Sequence, residues 1–374
     1  MSEYKICKRC VMDTNGDPSI TFDENGYCNY CTEAIDLLEE QKQQIDMKRL
    51  EALFDKIKKD CKDDPYDCLV GVSGGLDSSY IIYLGHKYGL RMLGLHIDDG
   101  LDTETAKKNV HNLCKRAQVD LINVQPDAEQ YRDLTLSFFK ASVPDLAIPQ
   151  DNLILSALTD AVKKYKLKYL LHGYNLSMES ILQSGNGYTA SDSTHIRAIQ
   201  KQFSGKPIDK LRLTNTIEES VLKRLRKDVV RICPLNYIDY RFERVLSELR
   251  EFCGYDYYGG KHHESVLCRF MQCWYLPVKF GVDKRKSHLS SMIVSGQMTR
   301  EAALEQLKQT GYATKELEDF DRNTLAEFMG ISREEFDAIV NLPPKSHDDY
   351  PKSFVSSKLI PFLLKYRKFL KIGI

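Results

Sequence analysis

An α/β architecture, with a parallel sheet covered on both faces, a small cysteine-bearing module in front and a mostly helical region behind, is predicted by three features. From Asp67 to about Leu235 short apolar runs alternate with helical stretches, a glycine-rich turn follows the first run, and after Asp239 helical patterns take over. Parallel neighbours need long crossover connections, so the alternation implies helices between strands and three layers.

Residues 1–32 hold four cysteines and two turn signals, Asn15-Gly16-Asp17-Pro18 and Asn25-Gly26, with too few apolar residues for a core of their own. From about Glu33 to Lys59, Ile35, Leu38, Ile45, Leu50, Leu53, Phe54 and Ile57 recur on one face, which reads as a connecting helical segment. Strands are expected at 68–72, 92–97, 121–124, 169–172 and 229–232. Residues 184–204, rich in Gly, Ser, Thr and Gln, read as a long loop near the strand ends. Further helices are expected over 299–307, 322–329, 332–340 and 353–370, with Thr299 and Ser332 as N-caps.

The 374 residues contain 53 Lys+Arg and 53 Asp+Glu, so the broad basic excess that favours a nucleic-acid backbone is missing and no nucleic-acid partner is expected. No apolar run approaches the roughly 18–20 residues that span a bilayer, and Met1-Ser2-Glu3-Tyr4-Lys5 leads into cysteines, so the chain is expected in the cytoplasm and off the membrane. Eleven cysteines, an odd number, in such a chain suggest metal ligands and buried thiols before disulfides.

The sharpest motif is Ser73-Gly74-Gly75-Leu76-Asp77-Ser78-Ser79, set between the first strand and the helix-like Tyr80-Ile81-Ile82-Tyr83-Leu84. Two glycines let the backbone turn tightly and approach a ligand, and the amides at the following helix N-terminus attract phosphate oxygens. Ser73, Ser78 and Ser79 add hydroxyl donors, whereas Asp77 suits bare phosphate poorly and is expected to act through Mg²⁺. His172-Gly173-Tyr174-Asn175-Leu176-Ser177-Met178-Glu179 follows the fourth strand. Gly173 permits close approach, Asn175 supplies hydrogen bonding, and Glu179 can complete the magnesium shell, with an ordinary surface-helix acid as the alternative.

Cys7-x2-Cys10, seventeen residues, then Cys28-x2-Cys31 fits a two-knuckle zinc pattern. Four thiolates leave no place for water, so the site is expected to be structural and to replace the missing core of 1–32; an iron–sulfur cluster is the minority alternative. Cys233 before Pro234 is a candidate reactive thiol, and Cys253, Cys268 and Cys273 could gather with His262 or His263 around a second metal, although their spacing fits no standard pattern. In Tyr257-Tyr258-Gly259-Gly260-Lys261-His262-His263-Glu264, the Lys261, His262 and Glu264 side chains can move protons near neutrality and are candidate catalytic groups. Lys284, Arg285, Lys286 and His288 concentrate positive charge, either as a solvated loop or as a seat for substrate phosphate or carboxylate.

The string Ser-Gly-Gly-x-Asp-Ser in its strand–loop–helix setting resembles the pyrophosphate loop of the ATP pyrophosphatases, which include asparagine synthetase, GMP synthetase and the tRNA thiolases. It lacks the Gly-Lys-Ser/Thr of a Walker loop. The 173–179 string resembles the second motif of that superfamily. The resemblance implies a HUP-like ATP-binding domain, cleavage of ATP between the α- and β-phosphates, and an adenosine seat near Asp98, for which an acidic loop residue without ligand is the alternative. The domains so expected are a zinc knuckle at 1–32, a helical connector at 33–62, the ATP-binding domain at 63–240, and a helical substrate or partner domain at 241–374.

Taken together, Cys-Lys-Arg-Cys-Val-Met-Asp-Thr and Gly-Tyr-Cys-Asn-Tyr-Cys near the N-terminus, the Ser73–Ser79 loop, Tyr-Gly-Gly-Lys-His, and residues 279–300 resemble the N-acetyl sugar amidotransferase family over most of the chain. That resemblance implies ATP-, Mg²⁺- and Zn²⁺-dependent conversion of an acetamido group into an acetamidino group. The substrate class is a bacterial surface sugar or nucleotide sugar of the pseudaminic, legionaminic or diacetamido-uronic acid type. Leu76 departs from the family, which often has Lys there. Position 2 is Ser and no cysteine stands in a nucleophile elbow, so ammonia is expected from a separate glutaminase subunit. The rival expectations are a tRNA thiolase, which would need paired reactive cysteines and a basic face, and a non-catalytic adenine-nucleotide adaptor.

Overall fold

The computed structural model describes residues 3–183, 187–222 and 229–359. Five parallel strands, β1 (Cys68–Gly71), β2 (Met92–Ile97), β3 (Asp120–Val124), β4 (Tyr169–Leu171) and β5 (Val230–Ile232), form one sheet in the order β3-β2-β1-β4-β5. Val70 pairs with Gly94 on one side and Leu171 on the other, so the chain reverses its direction of growth between β1 and β4. The loops leaving the carboxyl ends of these two strands lie side by side, with Gly173 against Asp77 and Ser78, at a crevice in the usual ligand position of such sheets.

Three crossover helices frame that crevice: α3 (Leu76–Lys87), α4 (Glu104–Ala117) and α6 (Ile148–Tyr165). One sheet face packs Val70, Val72, Ile81 and Leu113 with α2 (Met47–Asp60) and α9 (Phe242–Cys253); the other packs Leu69, Leu93, Leu95 and Leu170 against α6. Burial on both faces explains why β1, β2 and β4 read as continuous apolar runs, while β3 and β5 at the sheet edges stay partly exposed.

The expected connector is two helices, α1 (Asn29–Lys42) and α2, separated because Asp46 caps α2 by accepting from the Lys48 amide. Residues 184–204 are not all loop. Asp192 accepts from the amides of Thr194 and His195 and starts α8 (Ser193–Phe203), whose Ile196 and Ile199 are fully buried. Its polar composition hides an amphipathic helix, because His195 and Gln200 are buried on the same side. Residues 184–186 of that expected loop lie outside the described residues.

A second core joins α5 (Ala128–Ala141), α8, α10 (Val266–Phe270), α13 (Lys315–Met329) and α14 (Arg333–Val340) around Phe138, Phe139, Phe270 and Phe336. Thr314 caps α13, so that helix begins seven residues earlier than its apolar pattern suggests. Ser332 caps α14, and Thr299 caps α12 (Arg300–Leu307). Of the helix expected over 353–370, the described part holds a short π-type turn, Val355–Leu359, and the remainder lies outside the described residues. Among the described residues no helix is long and apolar enough to cross a membrane.

The short helix α10 is fixed by one buried pair. Arg269 donates from Nε (2.8 Å) and Nη2 (2.6 Å) to Asp321 on α13, and the Tyr312 hydroxyl donates to the same carboxylate. Removing one member strands the other charge. The substitution Arg269→Met is therefore expected to lower the free energy of unfolding by about 3–5 kcal/mol, measured by urea denaturation.

Candidate active site

The loop after β1 enters α3 with no side-chain cap on the helix, leaving the first amides of α3 at the mouth of the crevice. Gly74 has φ +79°, and a Cβ there would lie 2.7 Å from the Ala106 carbonyl oxygen, so α4 presses against a backbone that only glycine can supply. Ser73 Oγ and Ser78 Oγ stand 3.1 Å apart, and Ser78 Oγ also donates to the Gly75 carbonyl. Ser73, Gly75, Asp77 and Ser78 line a cavity of about 400 Å³, joined from the β4 side by Gly173, Tyr174 and Glu179.

Asp77 is the hub. Its Oδ1 accepts from Tyr240 OH at 2.6 Å and from Asn175 Nδ2 at 3.1 Å, while Oδ2 faces Lys261 Nζ at 3.2 Å. Lys261 also reaches Glu179 Oε1 at 2.8 Å. Burial works against the ammonium, but the charges of Asp77 and Glu179 outweigh it and raise its pKa above that of an ordinary lysine. Asn175 is fully buried, caps the short helix α7 (Leu176–Glu179) through the Met178 amide, and holds Asp77, so it positions the carboxylate.

Lys261 comes from the segment that follows α9. Gly260 has no room for a side chain, since a Cβ would fall 2.3 Å from the His263 ring. Backbone hydrogen bonds from Thr103 N to Glu264 O and from Val266 N to Leu101 O tie the segment to the loop after β2. His262 Nδ1 lies 3.7 Å from Glu264 Oε1. Burial opposes both charges, yet the pairing raises the His262 pKa and lowers that of Glu264. The two groups can therefore hold a proton between them at the cavity wall.

Sequence reasoning misses four side chains here. His96, buried on β2, donates from Nδ1 to the Val72 carbonyl at 2.7 Å and points Nε2 at Asp102 Oδ2 at 3.0 Å. Both ring nitrogens face oxygens, and although burial pulls the other way, the Asp102 contact raises its pKa. A histidine inside an otherwise apolar strand is the available signal. Tyr240, fully buried near the end of the α/β segment, has no local signal. The fourth, Asp151, lies on the α6 stripe of Asp151, Ile154 and Leu158 that lines the cavity. Its carboxyl opens to the cavity but is surrounded by protein, and burial plus the nearby charge of Asp145 push it up to about 7.

Several expected site residues are placed elsewhere. Ser79 is fully buried inside α3 and does not line the cavity. Asp98 accepts from Gln125 and is not among the cavity-lining residues, while its neighbour Asp99 is buried and held by Tyr131 and Gln150. Arg285 spends its guanidinium on Asp283 and on the carbonyls of Gln309 and Thr310. Lys286 pairs with buried Asp13. Neither is left for substrate, and Lys284 and His288 also lie outside the cavity lining, although the His288 ring is 6.1 Å from that of His262.

The additional cysteines do not gather around metal. Cys253 donates to the Leu249 carbonyl, Cys268 faces Gln150, and Cys273 faces His263. Burial raises the pKa of Cys233, with the Glu179 charge adding to the effect, which opposes thiolate formation.

A second, more open cleft lies around His86, Lys115, Arg116 and Phe252, at the far end of α3, roughly 18 Å from the loop by helical rise. It has no carboxylate in its lining, and its cations sit at helix C-termini, where they offset the macrodipole. Of the two, only the cavity beside the Ser73–Ser78 loop is lined by paired acids.

The sulfurs of Cys7, Cys10, Cys28 and Cys31 all lie within 4.8 Å of one another, with Cys7–Cys31 at 3.7 Å and Cys10–Cys28 at 3.6 Å. A zinc tetrahedron with roughly 2.3 Å metal–sulfur bonds has edges of about 3.8 Å, so the four thiols fit Zn²⁺. Arg300 donates to the carbonyls of Cys7 and Cys10, and Val11 N donates to Ser290 Oγ on α11 (Arg285–Val294), fastening the knuckle to the C-terminal region.

Residues 264–363 match the family model described as "LPS biosynthesis protein WbpG-like, C-terminal domain". The matched stretch begins at Glu264, in the cavity wall, and carries α10 through α14. Among solved structures the chain is similar to an NH3-dependent NAD synthetase from Campylobacter jejuni in complex with the nitrate ion, at 17% identity and TM-score 0.30, covering 56% of this chain and 94% of that one. It is also similar to an NMN synthetase from Francisella tularensis, at 13% identity and TM-score 0.30, covering 58% and 94%. A comparison with curated proteins finds no match.

Two outcomes check this geometry. An Asp held near pH 7 in the folded state, against roughly 3.9 unfolded, makes wild-type stability fall as pH rises from about 4 to 7. Asp151→Asn is therefore expected to melt above wild type at pH 8, with the gap closing as pH falls toward 4.5, read by thermal scans. Mercurial titration of the full chain should release about one zinc per chain, and Cys10→Ser should release none and loosen the knuckle to limited proteolysis.

Proposed function

We propose that this protein is an ATP-dependent sugar amidotransferase of surface-polysaccharide biosynthesis. In this reading it transfers AMP to the oxygen of a sugar acetamido group and replaces that oxygen with ammonia. The observation that carries the reading is the pair of carboxylates, Asp77 and Glu179, gathered around one cation beside the uncapped first amides of α3. The similarity of residues 264–363 to the WbpG-like family model supports a sugar of lipopolysaccharide type as the acceptor.

Magnesium is the fitting metal, because a buried cation already stands between two oxygen donors there. Asp77 and Glu179 would hold it, and it would neutralise the charge of the triphosphate. The loop amides and the hydroxyls of Ser73 and Ser78 bind phosphate oxygens, while the apolar stretch of Leu95, Ile97, Ile154 and Leu158 accepts the base.

An amide oxygen leaves poorly, so activation comes first. The acetamido oxygen forms a bond to the α-phosphorus and the bond to pyrophosphate breaks, giving an O-adenylyl imidate. Ammonia then adds to the imidate carbon, a proton passes to the His262–Glu264 pair, and the C–O bond breaks to expel AMP with the original amide oxygen. The acetamidino group remains. Ammonia must arrive unprotonated, which fits supply by a separate glutaminase subunit. A thiolase would need activated cysteines, whereas the thiols of Cys233 and Cys268 are both pushed up.

The deciding assay incubates the full chain with ATP, Mg²⁺, ammonium and a diacetamido sugar labelled with ¹⁸O in the acetamido group. AMP carrying the label, pyrophosphate, and a sugar with NH in place of O are expected, and Asp77→Asn should abolish all three while preserving the fold. ADP and phosphate, or unlabelled AMP, would reject the mechanism.

A further inference from the structure

Lys261 occupies the position that a metal between Asp77 and Glu179 must take. Its ammonium is 3.2 Å from Asp77 Oδ2 and 2.8 Å from Glu179 Oε1, and the three side chains are only 14–20% exposed. A divalent ion bound to those oxygens at roughly 2.1 Å leaves no space for the ammonium, and two cations so close would repel strongly. The segment that carries Lys261 is irregular backbone between two helices, leaving the first at the Gly254 cap and bending again at Gly259, φ +91°. Tyr240 and Asn175 grip only Oδ1 of Asp77, leaving Oδ2 to whichever cation is present.

We propose that Lys261 is a resident cation that fills the metal position of the free protein and is exchanged for a divalent ion only when a nucleoside triphosphate arrives with it. This rests on the nucleotide-binding reading above and adds an order to it. Without a triphosphate, expelling the ammonium would strand it in a mostly buried pocket. With one, the displaced ammonium finds phosphate oxygens at the neighbouring loop. The site therefore rejects free metal and accepts the metal–nucleotide complex, and the exchange moves the 254–264 segment, with His262 and Glu264, as the nucleotide binds.

The exchange is testable without sugar, ammonia or turnover. Mn²⁺ binding to the full chain is followed by electron paramagnetic resonance, with and without α,β-methylene ATP. Wild type and Lys261→Arg should bind Mn²⁺ weakly alone, whereas Lys261→Met should gain affinity by roughly tenfold or more. Adding Asp77→Asn to Lys261→Met should remove the gain. The analogue should bring wild type up to the Lys261→Met level. Should Lys261→Met be unstable without metal, a rise in its melting temperature with Mn²⁺, absent in wild type, carries the same result.

Equal Mn²⁺ affinity of wild type and Lys261→Met without nucleotide would overturn the proposal. So would a gain that survives Asp77→Asn. If the gain appears but no labelled AMP forms in the sugar assay, the exchange stands and the amidotransferase reaction falls. Labelled AMP without the Mn²⁺ gain would keep the reaction and remove the exchange.

Discussion

One ammonium between two carboxylates holds this site together. Lys261 lies on the segment after α9, Asp77 at the start of α3, and Glu179 at the end of α7, so a single charge cluster closes three distant parts of the chain around the crevice. Each acid alone would be costly to enclose, and so would the lysine; together they are compensated, with Tyr240 and Asn175 satisfying the remaining oxygen of Asp77. The sheet order makes the meeting possible, because growth outward from β1 in both directions brings the loops after β1 and β4 side by side.

The rest of the molecule serves that crevice from outside. The buried Arg269–Asp321 pair sets α10, whose preceding residues are Glu264 and Ser265 at the cavity wall. The knuckle is clamped to α11 and α12 through Ser290 and Arg300. Lys286 closes the same joint on Asp13, which explains why a cationic run that looks suited to substrate is used for structure.

Legibility in the sequence follows the range of each interaction. The inner strands β1, β2 and β4 are readable because double burial makes each a continuous apolar run. The Ser73–Ser78 loop is readable because its geometry is local, with two glycines, the hydroxyls and the helix start within six residues. Glu179 and Lys261 can be named as candidates, but their meeting over one cation depends on strand order and on a segment that returns from beyond β5. Lys286 looks free in the sequence because its partner is 273 positions away. Asp98 looks like a ligand residue because one-residue differences in a loop decide which acid faces inward, and here Asp99 is the buried one while Asp98 pairs with Gln125. The α8 helix is hidden by buried polar residues, which composition assigns to loops.

The most direct measurement is a crystal structure of the full chain with α,β-methylene ATP and Mn²⁺, located by anomalous scattering. The account predicts a manganese peak bonded to Asp77 and Glu179, the triphosphate along Ser73–Ser78, and Lys261 withdrawn from both carboxylates onto phosphate. A triphosphate seated in the cleft of Lys115 and Arg116, with Lys261 still bridging Asp77 and Glu179, would contradict it.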